Sequence, residues 1–228
     1  MRQSTILIIS FLSLQLSFSQ IHEIGVFAGG SNLITDVGAT NYISPNNLAL
    51  GLMYKLNISS RHSWRLSVIY SDVETFDSKS DDPRRIQRNY DFESNLLEVS
   101  AGLEFTFIDF DLHSGYPMIT PYLYSGLSAF RFDEYYYLNG AQTPLNSKTW
   151  SYGIPMTLGV KTNFLGNFVI GVEVGARYTF TDALDGSNPN DAAFQQYRFG
   201  NINNNDWYVF SGITITYTFG ENPCYCHQ

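Results

Sequence analysis

The stretch Gly212–Gly220 reads GITITYTFG. From Ile213 to Phe219 it alternates strictly, with Ile213, Ile215, Tyr217 and Phe219 on one face and Thr214, Thr216 and Thr218 on the other. A period of two describes a β-strand whose faces differ chemically. In a soluble sheet the aromatics would line a core and the threonines would meet water. In a membrane barrel the aromatics would meet lipid and the threonines would point inward. The rest of the chain has to decide between them.

Low charge (15%), abundant aromatics (16%) and 18 glycines among 228 residues suit β-structure better than helix. A net charge of −8 lacks the basic footprint that nucleic acid requires. The N-terminus, MRQSTILIISFLSLQLSFSQ, has one arginine, an apolar stretch from Ile6 to Leu16 and small residues at Ser17 and Ser19. It reads as a secretory signal peptide over residues 1–19, with no lipoprotein cysteine behind it. Downstream, no window approaches the roughly 18–20 apolar residues of a spanning helix. The expected product is exported, with a barrel over 20–219 and a periplasmic tail over 220–228.

Period-two runs predict eight strands, at Glu23–Gly30, Asn47–Ile58, Ser63–Thr75, Phe92–Asp109, Pro121–Phe132, Thr149–Asn163, Asn167–Thr181 and Trp207–Phe219. Most reach the roughly 9–11 tilted residues a transmembrane strand needs. SSRH and FLGN are short connections and DLHSGYPMIT is intermediate, whereas the other four are long and polar. Short and long alternate around the meander, which puts all short turns at one end. Outer-membrane barrels show this asymmetry, with short periplasmic turns and long outside loops. The expected fold is all-β, an eight-stranded antiparallel up-and-down transmembrane barrel in the outer membrane.

The faces agree. Strand six sets Trp150, Tyr152, Ile154, Met156, Leu158 and Val160 against Ser151, Gly153, Pro155, Thr157, Gly159 and Lys161. Strands four and seven alternate in the same way, while strand five is blurred and its faces are unassigned. Smooth apolar faces are an aggregation hazard in water and the required surface in lipid. Trp64, Trp150, Trp207 and Tyr217, near strand ends, suit interfacial girdles. On this register Lys55, Arg65, Lys161 and Arg177 point inward with Glu23, Glu98, Glu104 and Glu173. Four cations facing four anions would pair in so narrow an interior. The reading taken is a salt-bridged plug, against the alternative of a gated pore.

Catalysis at the outer rim would need a general base within hydrogen-bond reach of a nucleophile. By topology His22, His62, His113 and His227 are all periplasmic, so no enzyme activity is expected. Cys224 and Cys226 form too sparse a set for a zinc site, and no metal or other cofactor is expected. These two cysteines are read as oxidised, paired with each other or with a partner chain, or as part of a docking tail. TDALDGSNPND has acidic spacings that could hold calcium, but the reading taken is a solvated loop.

EIGVFAGGSNLITD (23–36), ALGLMYKLN (49–57), TPYLYSGLSAFRF (120–132) and IPMTLGVKTNF…VGARYTFTDALD (154–185) resemble PorG-like proteins. These are outer-membrane barrels of the type IX secretion system of Bacteroidota. The resemblance implies a non-enzymatic barrel that contacts a periplasmic ring of the PorK lipoprotein and PorN, in support of protein secretion and gliding motility. It supplies no residue-level docking motif. The alternative is an OmpA-like barrel whose long outer loops bind surface partners or ligands, and a third reading is an enzyme acting on lipid A.

Overall fold

The computed structural model describes residues 21–220 apart from His113, Gly115 and Ile202. The expected signal peptide, Cys224, Cys226 and His227 lie outside the described residues. Eight strands form one closed antiparallel ring in sequence order. They are β1 Ile21–Ile34, β2 Asn47–Asn57, β3 His62–Phe76, β4 Asp91–Thr106, β5 Ile119–Leu138, β6 Ala141–Leu165, β7 Phe168–Thr179 and β8 Trp207–Phe219. β1 pairs with β8, from His22 against Phe219 to Ile34 against Trp207, so the sheet has no free edge.

The opening stretch answers its own question. Thr214 and Thr216 are buried in the lumen, while Ile213, Ile215, Tyr217 and Phe219 are exposed on the outer wall. The same outward surface carries Leu52, Leu66, Leu127, Leu158 and Val172. Such a belt around a closed ring, with every strand hydrogen-bonded on both sides, is what hydrocarbon demands of a β-protein. Trp64 and Tyr217 flank the belt at the short-turn end and Trp150 at the other. No helix among the described residues is long and apolar enough to cross a membrane.

The expected strands are all present, with three differences. First, DEYYYLNGAQTPLNSK, expected as a long loop, is a hairpin that continues β5 and β6 to a two-residue turn. Asn139 and Gly140 both take positive φ, 52° and 86°, the geometry of a tight hairpin turn with the right twist. The paired arms above Phe132 and Thr149 are about 20 Å long and lie against the top of β4, where Gln142 bonds both backbone groups of Glu93 and Tyr137 donates to the Asp91 carbonyl.

Second, β5 resists assignment from sequence because its inward face is itself aromatic. Tyr122, Tyr124, Phe130 and Phe132 are buried in the lumen, whereas Leu123 and Leu127 face out. Hydropathy therefore barely alternates although the geometry does. Third, strand ends shift: β1 runs on to Ile34 rather than Gly30, β4 stops at Thr106 rather than Asp109, and β7 stops at Thr179 rather than Thr181.

The outer loops are packed together rather than solvated. Asp82 caps the short helix α1, Pro83–Arg88, by accepting from the Arg84 amide; proline occupies its first turn, and Asn89 ends it at φ 55°. The Val37 amide donates to Asp185 at 2.9 Å and the Gly38 amide to Asp77 at 2.7 Å, tying the 35–46 loop to both neighbouring loops. Tyr90 stacks on Tyr137 at 4.7 Å, with Phe199 edge-on to both. The TDALDGSNPND segment, expected to be solvated, buries Leu184, Asp185 and Ser187 in this cap.

Candidate functional site: the charged lumen

All eight inward charges lie in the lumen with at most 2% of their surface accessible. Each is delivered by strand alternation, on the face opposite the lipid belt. Arg65 donates from Nη1 and Nη2 to the two oxygens of Glu173, both at 2.7 Å. Lys55 and Lys161 converge on Glu104 from β2 and β6 at 2.8 and 2.6 Å, and Arg65 approaches the same carboxylate at 3.8 Å. Arg177 reaches Glu98 at 3.1 Å and donates to the Gly175 carbonyl at 2.6 Å.

Glu23 departs from the expected scheme of four ion pairs. No cation lies within 4 Å of it among the described residues. Instead Asn57 donates to it at 2.8 Å and Thr216 at 2.6 Å. Lys55 is its direct register neighbour, but the longer side chain extends across to Glu104. Neutral donors meet the demand of a buried carboxylate for hydrogen bonds, so this arrangement leaves no acceptor bare.

Sequence reasoning missed the tyrosines that complete the network. Tyr122 donates to Glu173, and Tyr208 donates to Glu98 at 2.6 Å. The Arg65 guanidinium lies over the Tyr124 ring at 4.7 Å and Arg177 over Phe210 at 4.5 Å. These rings were hidden because tyrosine also suits the lipid girdles. The available signal was register, since Tyr122 and Tyr124 sit directly opposite Gly159 and Thr157, which also face inward. Gly102 and Gly126 face each other across β4 and β5, and a Cβ on either would strike the neighbouring backbone at 2.2 Å.

The network is closed at both ends. On the short-turn side Phe110 is buried over the lumen mouth, with the Lys161 ammonium 4.8 Å from its ring centre. Towards the loops an apolar cluster built from Phe27, Met53, Ile69, Phe92, Phe130 and Phe210 continues up to Val37 and Leu184. The lumen charges thus lie in the periplasmic and central parts, and the loop-side part mixes this apolar cluster with buried hydroxyls such as Ser31, Ser71 and Ser94. Four buried cations balance four buried anions, and lone charges at this depth would cost several kcal/mol each. Chemically the arrangement is a filled plug.

Above the plug, the cap holds a second set of carboxylates. Burial pushes Asp77 up, but the Arg88 hydrogen bonds and the Gly38 and Tyr90 amides outweigh it and leave this group below the usual range. Burial raises Asp182 to about 6 against the Asn188 hydrogen bond, with the charges of Asp185 and Asp36 adding to it. Burial also raises Asp185, and raises Asp206 well above the ordinary value, where the neighbouring Asp185 and Asp182 charges contribute. No group of three or more His, Cys, Asp or Glu side chains among the described residues is arranged to hold a metal ion.

The expected histidines that can be placed lie at the short-turn end. His22 bonds the Tyr54 hydroxyl at 2.6 Å and stacks on Phe219, and His62 packs against Phe105.

Lipid belt, closed ring, short turns and long loops together make this chain an integral outer-membrane barrel. Solved structures of similar architecture include Ail of Yersinia pestis, at 13% identity and a TM-score of 0.45 over 88% of this chain and 99% of that one. The N-terminal barrel domain of Pseudomonas aeruginosa OprF shows 13% identity and 0.43, over 89% and 100%. A major outer membrane protein of Thermus thermophilus shows 12% and 0.47, over 88% and 100%. The sequence matches none of the curated proteins. A family model, the domain of unknown function DUF6089, matches residues 2–228, and the chain belongs to that family.

Proposed function

We propose that this chain is a non-enzymatic component of the type IX protein secretion and gliding machinery, fixing a periplasmic PorK–PorN-type ring to the outer membrane. The observation that carries the proposal is the filled lumen: from Phe110 to Leu184 the barrel interior is occupied by paired charges, aromatic rings and aliphatic side chains. A barrel built this way acts through its two ends and its anchorage, not as a conduit. The resemblance to PorG-like proteins supplies the system. The periplasmic end offers a compact platform, in which the Ser60 hydroxyl and the Arg61 guanidinium both bond Asp109 and His22 stacks between Tyr54 and Phe219.

Co-purification tests this. The barrel is tagged in the 180–206 loop, cross-linked lightly, extracted in mild detergent, and its companions identified. Recovery of periplasmic ring proteins that is lost on deleting residues 221–228 supports docking through the tail. Recovery that survives the deletion moves the contact to the short turns. Recovery of surface components alone rejects the proposal.

One observation favours a second reading, an OmpA-like barrel that binds partners through its outer loops. The β5–β6 hairpin is braced by Tyr136 against Phe194 and Tyr197, as a presented element would be. Replacing residues 133–148 by a two-residue turn leaves secretion intact under the first reading and abolishes function under the second.

A further inference from the structure

Val209 points out of the barrel, away from the lumen-facing Tyr208 and Phe210, yet only 2% of it is accessible. Its cover is the 35–46 loop, which folds back over the outer wall. The Asn32 side chain donates to the Asn41 carbonyl at 2.8 Å and accepts from the Ser44 amide, and so clamps that loop against β1. Between loop and wall runs a cavity of about 500 Å³. Its floor is Val174, Ala176, Trp207 and Val209, and its flank is Tyr42 and Ile43, 81% and 61% exposed.

The floor continues directly into the lipid belt, because Val172 and Ile213, paired one step below, are exposed on the outer wall. The groove therefore opens into the bilayer at outer-leaflet depth. Its upper end is polar and is shared with a second cavity, of about 560 Å³: Asp36, Arg85 and Asn204 line both. Arg84 and Arg88 also line the second cavity, with Asp82. Arg88 is held by Asp77 and Arg84 by Asp82. Arg85 bonds the Thr35 and Gly38 carbonyls at 2.9 and 2.6 Å and has no carboxylate within 4 Å among the described residues. With Arg84, Arg85 and Arg88 against Asp36 and Asp82, the second cavity's lining is net cationic, and an apolar slot running from the bilayer to an arginine in no direct ion pair has the shape and polarity of an amphiphile with a phosphorylated head.

We propose that the groove between the 35–46 loop and the β7–β8 wall binds one outer-leaflet lipid, its acyl chain on Ala176, Trp207 and Val209 and its phosphorylated headgroup at Arg85. The lipid pins the loop to the barrel and couples the cap to the membrane surface. This site is independent of any periplasmic partner.

The test uses the intact barrel in detergent micelles, with bis-phosphorylated lipid A as probe and native mass spectrometry as readout. Ala176→Trp fills the groove from a wall position that touches no lumen residue. Leu127→Trp, on β5 and outside the groove, is the control. Heat-modifiable migration on gels verifies that each variant is folded. At least a tenfold loss of retained lipid A in Ala176→Trp, with Leu127→Trp unchanged, is expected. Wild-type protein retains bis-phosphorylated over dephosphorylated lipid A, Arg85→Gln abolishes that preference, and millimolar inorganic phosphate does not displace the lipid. Equal retention by wild type and Ala176→Trp overturns the proposal. Equal retention of the two lipids by wild type overturns it as well, and displacement by inorganic phosphate shows a free-phosphate site instead.

Discussion

Arg65 and Glu173 face each other across the full width of the barrel, from β3 to β7, and are joined by two parallel hydrogen bonds of 2.7 Å. The two strands stand four apart in a ring of eight, so this pair spans a diameter. It clamps opposite walls together.

Arg65→Met leaves Glu173 buried with the Tyr122 hydroxyl as its remaining hydrogen-bond donor among the described residues. The expected loss is about 3–5 kcal/mol of unfolding free energy, as for other buried pairs cut on one side. Arg65→Met/Glu173→Met should recover most of it, because no charge is stranded. Urea unfolding of the vesicle-inserted barrel, read by tryptophan fluorescence, measures both. A single variant as stable as wild type would show that the clamp contributes nothing.

A filled lumen predicts no sustained ion conductance. In planar bilayers the expected record is a flat baseline, and the same protein should migrate differently on gels before and after boiling, since a closed barrel resists detergent. Steady open-channel currents would contradict the plug built on Glu104, Glu173 and Glu98.

The outer cap should tighten as pH falls from 7 to 5. A carboxyl whose folded value is raised favours the folded state in its neutral form. Its stabilising share is complete below its ordinary value and is lost as pH rises through the folded value. For Asp182 that window runs from 3.8 to about 6. Asp185 and Asp206 shift in the same direction. Asp77 has the opposite sign, and its share is lost only on acidification below the ordinary 3.8, outside this range. Hydrogen exchange at Val37, Gly38 and Leu184, corrected for intrinsic rate, should slow on acidification. Asp182→Asn should flatten part of the response, and an unchanged profile in wild type would count against the buried cluster.

Gly140→Ala should loosen the β5–β6 hairpin and spare the barrel. At φ 86° a Cβ is strained by roughly 1–2 kcal/mol. Amides of residues 133–148 should exchange faster while the urea midpoint stays put. A shifted midpoint would mean that the hairpin is part of the cooperative barrel unit.

Strand number and order were legible in the sequence, as was the facing of β4, β6, β7 and β8, and the eight inward charges could be named from alternation. Strand β5 was not legible because Tyr122, Tyr124, Phe130 and Phe132 make its lumen face as apolar on paper as its lipid face. The hairpin was missed although Asn139–Gly140 is a strong turn signal, because polar residues around it read as loop. The compact cap was missed because Asp185 and Asp77 look like surface aspartates until distant loops bring amides to them.

By itself the sequence determined which charged side chains enter the lumen, because alternation is a property of one extended backbone and needs no partner. Only the tertiary structure decided which of them meet. Lys55 bypasses its register neighbour Glu23 for Glu104, and Arg65 reaches a strand 108 residues away. Those choices depend on the width and stagger of the ring, which exist only once β1 has closed on β8.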